Sequence, residues 1–213
     1  MKERGMIFNG EMVRAILDGR KTQTRRIMKN QPAGDYPDTP ALIRSVDGGF
    51  QWYGHYGESS IFNCPFGAVG DRIWVRETWA EAGAGAPALK LYRANYPEHV
   101  PTHYENVPPA SDIRWTPSIH MPRWASRITL EITGVRVERL NSISQEDAQA
   151  EGMELTGWRP TYSEPDSGGE VWTPYDNFAQ LWESIYGEGS WQANPWVWVI
   201  EFKVAPNVQD NPA

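Results

Sequence analysis

The chain has a single cysteine, Cys64, in 213 residues. An internal disulfide is therefore excluded, and a reducing compartment is expected. No apolar run approaches the roughly 18 residues that a membrane-spanning helix needs, so no membrane segment is expected. The opening MKERGMIFNGEMVRAIL has no uninterrupted apolar stretch of the kind a secretion signal carries, and a cytoplasmic location follows as the expectation. Cations are in the minority: 20 Lys and Arg stand against 27 Asp and Glu, for a net charge of -7. That balance argues against a non-specific nucleic-acid coat, which would be basic overall. There is no glycine-rich phosphate loop, no alternation of strands and helices of the βαβ kind, and no internal repeat.

Tryptophan is what the chain has in excess, with 11. Most must fill the core, while Trp74, Trp79, Trp124 and Trp158 are candidates for stacking on nucleobases. His99 and His103 are four apart, but Pro97 and Pro101 argue against the helix that would present both to one metal. No third ligand is evident, and neither a metal nor an organic cofactor is expected. Glu77 stands on the apolar parity of its strand and reads equally as a partly buried carboxylate in a pocket or as a barrel-end residue in a salt bridge with an arginine.

The periodicity places a short amphipathic helix over Gly10–Asp18, capped by Asn9 and stopped by Gly19. Two further helices are marked by caps. Ser144 opens one that reaches Glu151, and Thr173-Pro174 opens one that ends before Gly187. Strands are expected at Asp71–Trp79, Arg127–Thr133, Val135–Leu140 (after a bulge at Gly134) and Trp196–Val204, the last central and covered on both faces. A hairpin turning at Gly48-Gly49 would join Ala41–Val46 to Phe50–Tyr53. Two Pro/Gly-rich segments, at about 30–70 and 81–122, read as insertions in one domain spanning 1–213. Several short strands with a few peripheral helices predict an α+β protein built on a small mixed barrel.

The densest chemistry lies in Gly19-Arg20-Lys21-Thr22-Gln23-Thr24-Arg25-Arg26. Arg20, Lys21, Arg25, Arg26 and Lys29 have no acid among them, and such a patch attracts phosphate even on an acidic protein. A threonine hydroxyl needs a base before it attacks a carbonyl. Lys21 becomes that base if neighbouring cations lower its pKa. The same residues also read as a Thr-rich strand with solvated cations. On an extended strand Lys21 and Thr24 would point to opposite faces, so their joint use requires a bend near Lys21–Thr22.

The pattern G-R-K-T-x-T-x-R after a short N-terminal helix resembles the signature of the ASCH domain family. SISQEDAQAEGM, followed later by NPWVWVIEFK, is similar to that family's helix and closing strand. GDRIWVRETWA and the two insertions resemble the longer members found in phage and prophage genomes. The resemblance implies a PUA-like fold and an RNA or modified nucleoside as partner. Its compact members include N4-acetylcytidine amidohydrolases, hydrolases that use a lysine base, a threonine nucleophile and a glutamate proton donor. On this chain those are Lys21, Thr24 and Glu151. Glu151 ends its helix, where the dipole disfavours a carboxylate by roughly 0.3–1 kcal/mol if exposed. Arg20, Arg25, Arg26, Arg76, Trp74 and Trp79 are the candidate substrate- or nucleic-acid-binding residues. A monomer is expected. The alternatives are a non-catalytic module for RNA or modified DNA, and a nuclease.

Overall fold

The computed structural model describes residues 1–32, 42–86, 88–154 and 173–206. Trp158 lies outside them. In chain order the elements are β1 (Glu3–Ile7), α1 (Gly10–Leu17), β2 (Gln23–Ile27), β3 (Leu42–Val46), β4 (Gly49–Gly54), β5 (Gly57–Glu58), β6 (Arg72–Arg76), β7 (Trp79–Glu81), β8 (Lys90–Tyr92), β9 (Thr129–Arg139), α2 (Gln145–Ala150), α3 (Pro174–Tyr186) and β10 (Trp196–Ala205), with short 3-10 turns between several of them. The class is α+β, rich in sheet and with few helices. No described helix is long and apolar enough to cross a membrane. These residues group into two compact units, the first drawn from Met1–Gly19, Asp71–Glu131 and Lys203–Ala213, the second from Arg20–Gly70 and Ile132–Phe202.

In the first unit β6 pairs parallel with β1 and antiparallel with the start of β9. The alternation read in DRIWVRETW holds: Ile73, Val75 and Glu77 are buried, while Arg72, Trp74 and Arg76 are half-buried. The run breaks after Arg76, and a second short strand begins at Trp79. β1 escapes the hydrophobic pattern because only Met6 of its five residues is buried. Helix α1 starts where expected, with the Asn9 side chain accepting from the Met12 N–H at 2.8 Å. Gly19 follows with φ +73°, a conformation that suits glycine.

In the second unit β10 lies between β9 and β2, and Trp196–Ile200 are all buried, as the unbroken apolar run predicts. β9 runs through Gly134 as one continuous strand. The Glu201 side chain lies over this glycine, where a Cβ would meet its carboxyl carbon at 3.0 Å. The β3–β4 hairpin forms, but its turn is Asp47-Gly48, both with positive φ, and Gly49 begins the second strand. Helices α2 and α3 carry the Ser144 and Thr173 caps read from sequence, and at α3 the cap is in addition a reciprocal Thr173–Asp176 capping box. Leu140, Ile143, Ala148, Phe178, Trp182, Val197 and Val199 pack as this unit's core beneath the two helices. Among the described residues the strands of neither unit close into a barrel.

Candidate functional site

Residues Arg20–Arg26 reach the second unit's sheet in two steps. Lys21 forms an isolated antiparallel bridge with Glu151, and the Thr22 N–H donates to the Ala150 carbonyl at 2.8 Å. The Thr22 carbonyl accepts from the Phe202 N–H, also at 2.8 Å, and from Gln23 onward the chain is a regular strand beside β10. The lysine thus arrives against the C-terminal end of α2, where Glu151 is the cap residue.

The side chains of Lys21, Gln23 and Arg25 alternate along this segment, and all three bond to α2. Lys21 Nζ donates to Glu151 Oε2 at 2.6 Å and to the Glu151 carbonyl at 2.9 Å. Gln23 Nε2 donates to the Asp147 carbonyl at 2.7 Å. Arg25 Nη1 reaches Glu151 Oε1 at 3.2 Å, while its Nη2 serves Asp147 Oδ2 at 2.9 Å and Glu138 Oε1. Arg136 completes the cluster through Asp147, Glu138 and Glu201.

Lys21 and Glu151 are both 2% exposed. Burial lowers the lysine's pKa, against the opposing pull of Glu151; Arg26 and Arg25 lower it further. The cations anticipated from sequence thus act in the expected direction, but behind desolvation. Burial by itself pushes Asp147 up, yet Arg25 and Arg136 hold its carboxyl below the ordinary value.

Thr24 is also buried, at 1% exposure, but on the opposite parity of β2, beside Ile200 in the ladder. The structure therefore brings together Lys21 and Glu151 from 130 residues apart and puts Thr24 on the opposite face of the strand. Arg25 is fully buried and committed to three carboxylates. Arg20 remains partly exposed and donates to the Gly152 carbonyl. Arg26 is half-buried opposite Trp198.

The remaining candidates lie in the first unit. The Trp74 ring lies close against Gly5, where a Cβ would come within 2.6 Å of Cζ2, and the Arg76 guanidinium sits 5.5 Å from the ring. Trp79 is a core residue, packed with Tyr92, Met121 and Ala125. Trp124 is 60% exposed, with its ring edge-on to Trp79. Glu77 is 1% exposed; burial raises its pKa while a two-pronged bond from Arg127 opposes the rise. His99 uses both ring nitrogens, accepting from the Tyr92 N–H and bonding the Asn95 carbonyl. Among the described residues no cluster of three or more His, Cys, Asp or Glu is arranged to hold a metal.

The residues that sequence reasoning missed are Gln23, Glu138, Asp147 and Arg136. One signal was available: Asp147 and Glu151 are four apart on a helix, so they share a face. No family model, characterised protein or solved structure matches the chain.

Proposed function

We propose that the second unit binds a modified nucleoside, free or within RNA, and hydrolyses an acyl amide on its base, with N4-acetylcytidine as the model substrate. The observation that carries this reading is the buried Lys21–Glu151 contact at 2.6 Å. A general base near neutral pH requires a lysine with a depressed pKa, and burial supplies that here. The partner carboxyl stands where it can hold the proton that the lysine releases. The motif around Lys21, with its resemblance to ASCH amidohydrolases, supplies the substrate class.

The reaction balances on this chain's own groups. The step requires the strand to turn so that Thr24, on the opposite face of β2, meets Lys21; Thr24 Oγ then attacks the acetyl carbonyl carbon while its proton passes to Lys21 Nζ. The tetrahedral intermediate collapses, the C–N bond breaks, and the protonated Glu151 gives its proton to the leaving amine. Water then hydrolyses the acetyl ester on Thr24, releasing acetate. One of its protons restores the Thr24 hydroxyl and the other leaves with the acetate to solvent, while the proton that Lys21 took from Thr24 returns to Glu151. Since all three side chains are buried, the substrate must displace part of their cover to reach them.

A second reading is favoured by the parity of Thr24 and by the double bond of Lys21 Nζ to Glu151. In it the cluster is scaffold and the unit binds its ligand without turnover. Thr24→Val separates the two, because it removes the hydroxyl and keeps a shape suited to a strand. The hydrolase reading predicts that acetate release from N4-acetylcytidine stops while the melting temperature holds. Turnover that persists in the folded variant removes Thr24 as nucleophile. A wild type without turnover leaves the binding module.

A further inference from the structure

The first unit contains a cavity of about 420 Å³ within its 82–108 segment, and none of the residues at the Lys21–Glu151 site lines it. Its lining mixes apolar side chains, Ala82, Ala86, Leu89, Leu91, Val100 and Val107, with a nearly equal share of polar surface that includes Glu105 and Asn106. The rings of Tyr96, Tyr104 and His103 add aromatic faces, with His103 and Tyr104 centred 4.3 Å apart. The Tyr96 hydroxyl donates to the Pro108 carbonyl and so ties the two ends of the enclosing loop together. A second hollow of about 370 Å³ shares Tyr96, Val100, Tyr104, Val107 and Pro108. Sites that take small organic ligands have this size and combine apolar and aromatic side chains with a few polar groups.

The charge of the lining narrows the ligand class. Glu105 is the one acidic side chain among the described lining residues, and neither Lys nor Arg is found there. A phosphate or carboxylate ligand would meet no cation and would face Glu105. An ammonium group would meet a carboxylate and the aromatic side chains of Tyr96 and Tyr104. We infer that this cavity is a second binding site, specific for a small organic cation with a flat apolar body, such as an arylalkylamine. The apolar side chains take the ring, and the ammonium group sits by Glu105.

The probes are tryptamine and indole-3-propionate, which share a ring and a short linker and carry opposite charges. Titrations of the full chain, followed by calorimetry and by ring-proton NMR, give the affinities. Saturable tryptamine binding is expected, at least about tenfold tighter than indole-3-propionate. Glu105→Gln, at an exposed position, should erase that preference, and Val107→Trp should fill the cavity and abolish binding of both probes. The inference is overturned by absence of saturable tryptamine binding, by equal affinity for the two probes, by an unchanged preference in Glu105→Gln, or by unchanged binding in Val107→Trp. The inference is independent of the hydrolase reading, since acetate release and tryptamine binding are read on different residues.

Discussion

A lysine and a tyrosine illustrate how burial is the largest influence on protonation at two sites of this chain, with opposite consequences. Lys21 has its pKa lowered because the charged form loses its water. Tyr92, held by its hydroxyl to the Ala125 carbonyl, is pushed up to about 12 by the same loss; Arg127, stacked 4.1 Å from its ring, opposes the shift, and Glu77 adds to it. For Tyr92 the folded value lies above the unfolded one. Its contribution to stability is therefore complete below the ordinary value of 10.0 and is lost as pH rises towards about 12. Lys21 works the other way: below its folded value the buried charge costs stability, and that cost is relieved as pH rises towards its ordinary 10.5. Tyr92→Phe isolates the first effect. The variant should lose less melting temperature than the wild type between about pH 9 and pH 12. Equal alkaline losses in the two proteins would show that Tyr92 titrates normally.

At the scale of elements, α2 is held to β2 more by charge than by apolar area. Only Ala148 of its six residues is fully buried, whereas Asp147 and its cap residue Glu151 take bonds from Lys21, Arg25 and Arg136. Removing one partner of such a cluster strands the others in low dielectric. Glu151→Gln should therefore cost about 3–5 kcal/mol, against about 1 kcal/mol for Ser144→Ala at the other end of the same helix. Urea melts of the two variants give the comparison, and similar losses would mean that the cluster does not pin the helix. The helix itself was legible in sequence because its cap and stop are local: Ser144 accepts from the Asp147 N–H, and Gly152 follows with φ +100°. Its attachment was not legible, because Lys21 and Glu151 meet across 130 residues of chain and no periodicity encodes that pairing. Gly134 makes the same point. Its neighbours announce a strand, but the Glu201 side chain that lies over it comes from 67 residues away.

Across the whole molecule, the long apolar strand β10 and the capped helices stand where hydrophobic pattern and turn chemistry put them, while β1 and the division into two units do not show in the pattern. β1 is held by its parallel ladder to β6, and a ladder of backbone bonds leaves little mark on side-chain choice. The basic stretch from Arg20 to Lys29 also changes meaning once folded. Lys21 and Arg25 are buried among carboxylates, so Arg20 and Lys29 are the exposed cations of that stretch. If a polynucleotide is the natural substrate, replacing Arg20 and Lys29 by Ala should flatten the salt dependence of its binding by about 0.7 in slope for each phosphate no longer neutralised. An unchanged slope would place the phosphates elsewhere on a protein whose net charge is -7. The central claim is that Lys21 works as a base and is more than a buried cation. Lys21→Arg tests it most directly, since arginine keeps the charge and cannot release its proton in the working range. Acetate release from N4-acetylcytidine is followed by proton NMR for the wild type and the folded variant side by side. Steady release by the wild type and background release by Lys21→Arg is the predicted result; equal release by both, or none by either, would contradict it.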